Sequence, residues 1–149
     1  MNKNWPRWIV ASLCKHFDAQ CVGLPLIIEG RDVLDMTGNR LQLLIDGPSG
    51  RPQSGNSWAL STQVMVLATT VIDDDLYSIH SSVGIAAGAF HRAIPVYKYG
   101  RTEDDDDSLL SCLTLIGDVQ ISHYGQPDPA AKILQSSVKA NYSIHLEKE

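Results

Sequence analysis

Apolar residues recur every three or four positions near the start of this chain and every second position over most of the rest. Ile9, Leu13 and Phe17, with Val10 and Cys14 beside them, form one stripe at helical period. Pro6 suits a first-turn position, where its missing N–H costs nothing, and Gly23 and Pro25 end the helix. "LPLIIEG" (24–30) and "RLQLLIDG" (40–47) read as strands, the second with Leu41, Leu43 and Ile45 on one face. The stretch 47–56 holds three glycines, two prolines and no apolar residue, so it reads as a loop or hairpin arm that buries nothing. From 57 to 73, Trp58, Leu60, Thr62, Val64, Val66 and Ala68 share a face and Ser61, Gln63, Met65 and Leu67 the other. That predicts a strand of about 15 residues against the usual five or six, one end of which leaves the core as a ribbon with the arm around 46–57.

The period then changes. Leu76, Ile79, Val83, Ala87 and Phe90 make a helical face, and the preceding Asp73, Asp74 and Asp75 serve as a cap and dipole partner. Gly84 and Gly88 among alanines predict a thin helix that packs closely on a sheet. "IPVYKYG" (94–100) is a strand that Pro95 directs to an edge. "LLSCLTLIG" (109–117) and "VQISHYG" (119–125) read as two strands turning tightly at Gly117-Asp118. After the turn "QPDPA", Leu134, Ser136, Val138, Ala140, Tyr142, Ile144 and Leu146 alternate with a polar set including Gln135, Ser137, Asn141 and Ser143. The expectation is one domain over 1–149, of α+β class. Its sheet is mainly antiparallel with unusually long strands, and an N-terminal helix and one packing helix go with it.

Charge singles out one segment. The chain has 17 acidic and 12 basic residues, a net charge of -5. Five of the acids, Glu103 through Asp107, are consecutive; without them 12 acids balance 12 bases. The run lacks the spaced oxygens and bend glycine of a calcium loop. No apolar neighbour in the sequence holds a catalytic pair, so it reads as a solvated loop. Scattered lysines and arginines argue against broad binding to a nucleic-acid backbone. No stretch has the form of a signal peptide or membrane span.

The other chemistry is sparse. Cys14, Cys21 and Cys112 are an odd count without CxxC spacing and read as reduced, structural thiols. His16, His80, His91, His123 and His145 include no i, i+4 pair, and His80 and His91, on one expected helix, stand too far apart to share a metal. His123, before a turn, reads as a structural or interface hydrogen-bonding group. GxSxG, GxGxxG and phosphate-loop patterns are absent. The residues therefore predict a structural or binding protein rather than an enzyme, with no catalytic residue, cofactor or metal site.

The order of elements resembles a known family. The opening "WPRWIVASLCKHF", the strand, arm and strand in "LLIDGPSGRPQSGNSWALSTQVMV", the helix "IHSSVGIAAGAF", then "IPVYKYG" and the closing "VQISHYGQPDPAAKILQSSVKANYSIHL" together resemble the tail-terminator or neck proteins of tailed phages. The resemblance implies a structural virion protein, made in the host cytoplasm and located in the tail or neck. It implies a homo-oligomeric ring, a hexamer favoured, that meets the tail tube protein and head–tail connector proteins and passively contacts DNA in its channel, with no membrane partner. The alternatives are a head-side connector or other minor virion protein and, from another class, a small enzyme or ligand-binding α+β domain.

Overall fold

The computed structural model describes residues 3–28, 31, 32, 38–53, 55, 57–72, 77–100, 105–126, 130 and 132–147. The elements are α1 (Trp5–Gln20), β1 (Leu26–Ile28), β2 (Arg40–Pro52), β3 (Ser57–Val71), α2 (Ser78–Gly88), β4 (Ala93–Tyr97), β5 (Leu109–Gly125) and β6 (Ile133–Glu147). The six strands of the described residues form one sheet in the order β1-β2-β3-β6-β5-β4. Among the described residues only β1 and β2 are parallel; the other pairs are antiparallel. The fold is α+β, as the segregated periodicities predict.

Side-chain alternation decides the layering. Leu41 and Leu43 of β2, Leu60, Val64 and Val66 of β3, and Val138, Tyr142 and Ile144 of β6 point to one face and are all buried. Trp8, Ile9, Leu13 and Phe17 of α1 and Ile79, Val83 and Ala86 of α2 join the same cluster. Phe17 meets Phe90 edge-on, with ring centroids 5.0 Å apart, and this ties the start of the chain to the end of α2. The opposite face, with Gln63, Met65, Leu67 and Lys139 half-exposed, is covered by no helix among the described residues.

Several local expectations are corrected. The stretch 109–125 is one strand, not a hairpin. Both halves pair with β6 in the same direction: Ile116 faces Asn141 and Gln120 faces Lys139. Four steps along β5 thus cover two along β6, and Gly117, at φ 71°, absorbs the excess as a bulge. The arm, expected as a loop or a hairpin, is a hairpin. Ser49 to Pro52 pair with Ser61 to Trp58, and a backbone bond from Gln53 to Ser57 of 2.9 Å closes the hairpin. Its Gly50 lies against the Leu60 side chain and Trp5, so a side chain at 50 collides with the core edge. In α2, Gly84 and Gly88 are exposed, and a Cβ at either meets nothing within 4 Å. The close-packing surface is instead Ile79, Ser82, Val83 and Ala86. The N-cap of α2 is Tyr77, without a side-chain cap bond; Asp73, Asp74 and Asp75 lie outside the described residues. Pro95 does sit on an edge strand, since among the described residues β4 pairs with β5 alone.

Candidate functional site

The acidic run lies between β4 and β5. Glu103 and Asp104 are outside the described residues; the other three acids have three different roles. Asp105, expected in solvent, has a side chain with 0% exposure. Its Oδ1 accepts the Trp8 indole N–H at 2.5 Å, and the Arg7 Nη2 reaches both carboxylate oxygens at 2.9 Å. Arg7 also donates from Nη1 to the Tyr99 carbonyl at 3.2 Å. The residues that hold Asp105 come from the first turn of α1, nearly 100 positions away, so no local pattern announces them. Gly100 makes the approach possible: a Cβ there overlaps the Asp105 carboxylate and the Arg7 guanidinium.

The next two acids shape the turn. Asp106 accepts from the Ser108 N–H at 3.1 Å and the Ser108 hydroxyl at 2.5 Å. These bonds favour the ionised form and hold its carboxyl below the usual carboxylate range. Asp107 has φ 58°, in the left-handed region that Asp tolerates, and its N–H donates to the Lys98 carbonyl at 3.2 Å. Lys98 in turn donates to the Ser108 carbonyl at 2.9 Å. The segment is a pinned turn that presents Asp106 and Asp107 to solvent.

The histidines meet across elements rather than along one. His91 lies beyond the end of α2, so His80 and His91 do not share a helix. His16 and His91 contact edge-on at 4.7 Å, and His80 and His123 at 5.3 Å. His16 Nε2 lies 2.8 Å from the Ala89 carbonyl. Burial pushes its pKa down; the Ala89 bond opposes this and His91 adds to it. His123 Nδ1 is 2.6 Å from Ser136 Oγ, the hydrogen bond its sequence position predicts. This is not an activated nucleophile, since Ser136 is 1% exposed and no substrate reaches its hydroxyl. No group of three His, Cys, Asp or Glu among the described residues is placed to hold a metal.

The cysteines are free thiols in three settings. Burial pushes Cys21 up to about 11 and raises half-buried Cys14, so both are unreactive. Cys112 is exposed on β5 and departs from the expectation of a buried thiol.

On the open face, the sheet carries a depression of about 510 Å³ between the arm (Ser49, Arg51, Gln53) and Ser61, Ser143 and His145. A second depression, of about 540 Å³, extends over Gln63 and Asn141. Ile116 borders both. The polar set predicted for the last strand divides here. Asn141 and Ser143 line the open surface, but Ser137 is buried and lies 2.9 Å from the Tyr124 hydroxyl.

No protein-family model matches the chain, and no curated protein matches it in sequence. The functional reading therefore rests on the residues and the surfaces. Among the described residues no helix is long and apolar enough to cross a membrane.

Two strand edges complete the surface. β1 pairs with β2 only at Leu41, Gln42 and Leu43, and β4 pairs with β5 no further than Thr114. Beyond these points β2 and β5 each run on with one edge unpaired among the described residues.

Proposed function

We propose that this chain is a structural virion protein of a tailed phage, a tail terminator that assembles into a ring, closes the tail tube and joins it to the head. The observation that carries the reading is the mismatch between strand length and cover. Strands β2 and β5, of 13 and 17 residues, overrun their short edge neighbours β1 and β4, of three and five residues. A monomer with long open edges invites uncontrolled pairing, and a closed oligomer removes them. The β2–β3 arm, polar and exposed along most of its β2 strand, suits reaching onto a neighbour. In a ring, Asp106 and Asp107 recur once per subunit. Facing the channel, such an annulus repels phosphates and lets DNA slide.

The roles of tail tube and connector proteins as partners belong to the same proposal, as does a location in the virion tail or neck. Gold-labelled antibody on intact virions tests it. Label at the head–tail junction is the expected result; label on the capsid shell, or none on virions, contradicts it. The depressions on the open face, with Ser143, Asn141 and His145 in their lining, favour a second reading, a ligand-binding domain. Saturable binding of a small polar molecule that Ser143→Trp abolishes would favour that alternative.

A further inference from the structure

Among the described residues the sheet covers its β4 edge and leaves a stretch of β2 and a stretch of β5 open. At the β4 edge, Ser12 of α1 accepts the Tyr97 N–H at 2.9 Å and donates to the Tyr97 carbonyl at 3.4 Å, so a helix blocks the terminal strand. Residues 44–52 of β2 and 116–125 of β5 have no such cover among the described residues; the last backbone bond before the β5 opening runs from Leu115 N–H to the Arg92 carbonyl.

The two open segments complement each other. Beside β2 lies a groove of about 350 Å³ lined by Val10 and Cys14 of α1, Ile28 at the end of β1, and Leu44 and Ile45. The open part of β5 carries the apolar side chains such a groove lacks: Ile116 and Ile121 are 49% exposed and Tyr124 52%. Ile121 faces Val138 and so shares the helix-bearing side of the sheet with the groove. Direction also fits. Three successive antiparallel pairings separate β2 from β5, so β5 runs antiparallel to β2. A second copy set beside the first, same face inward, brings its β5 against β2 in the antiparallel sense.

We infer that residues 116–125 of one copy add as a strand to the 44–52 edge of the next, with Ile121 entering the groove between α1 and β2. This rests on the self-assembly reading above and names its contact. Main-chain bonds hold the strand, and the groove selects its side chains. The two surfaces differ, so the contact is heterologous and generates a ring if it closes. The open segments lie at opposite ends of the sheet, so neighbours stagger along the strands, as they do in a barrel with tilted strands.

Two variants test the contact, each placing a charge at one surface: Val10→Glu in the groove and Ile121→Asp on β5. Light scattering reads their mass, and circular dichroism checks that each is folded. Each alone loses self-association by at least about ten-fold in Kd, the effect of burying an unpaired charge at an interface centre. Mixed, they form a 1:1 complex, because one keeps an intact groove and the other an intact strand. Variants that assemble like the parent protein, or a mixture that stays monomeric, overturn the inference. Should either variant unfold, a Leu44→Cys, Ser122→Cys protein in a Cys112→Ser background reads the same edge. Oxidation yields a ladder of linked copies, and monomers alone overturn the contact. Open chains that obey these rules keep the inference and sink the ring; closed rings blind to both charges do the reverse.

Discussion

The indole N–H of Trp8 donates to the carboxylate of Asp105 at 2.5 Å, joining the first turn of α1 to the turn between β4 and β5. The most acidic stretch of the chain is therefore anchored at its centre by a buried group, and Asp105, Asp106 and Asp107 are not equivalent. Asp105→Asn weakens the Arg7 pair and disturbs the indole bond, and should lower unfolding free energy by about 1–3 kcal/mol, as expected for a buried hydrogen-bonded carboxylate. Asp106→Asn, on an exposed side chain, should leave the urea midpoint close to that of the parent protein. Equal midpoints for the two variants would contradict the anchor.

Gly100 serves the same contact. Gly100→Ala forces the Asp105 carboxylate and the Arg7 guanidinium aside, so it should destabilise through the same interaction. In an Asp105→Ala background the added methyl meets a smaller neighbour, and its cost should fall. A double-mutant cycle by urea denaturation measures this coupling; additive effects would separate the two residues.

Burial of the His16 ring gives stability a pH dependence. The folded-state pKa of His16 is lowered, chiefly by burial. The unfolded chain therefore binds the proton more readily, and stability rises with pH. The contribution is fully present above the unfolded value near 6.5 and is lost as pH falls below it towards the folded value. Melting temperature should drop between pH 7.5 and pH 5.5, and His16→Asn should flatten the part of the slope due to this ring. An unchanged slope in the variant would assign the pH dependence to other groups.

Helix α2 offers a gain. Gly84 lies in the helix interior with open space where a Cβ goes. Gly84→Ala should stabilise by about 0.5–1 kcal/mol, from restricting the unfolded chain and improving helix propensity. A thermal or urea melt checks it; destabilisation would mean that the glycine face packs against something.

Much of the fold was legible because burial on one side imposes a period. The stripe Ile9, Leu13, Phe17 and the alternation through Leu60, Val64 and Val66 mark α1 and β3 directly, and the last strand reads the same way. Gly117-Asp118 misleads because a glycine at positive φ serves a tight turn and a bulge equally well; only pairing of both flanks with β6 separates the two. Gly84 and Gly88 mislead because small residues mark close approach only when they face the partner. Asp105 was hidden for another reason. Its acidity was plain, but its burial depends on Trp8, Arg7 and Gly100 meeting in space. The histidine contacts and the open edges are likewise properties of topology, and no local spacing encodes them.

Self-assembly is read from the mass of the purified full chain in solution, by light scattering across a wide concentration range, paired with negative-stain images. The expected result is a discrete oligomer that appears as closed rings and caps added tail tubes. A single-chain mass at every concentration, with no rings on the tubes, would contradict it.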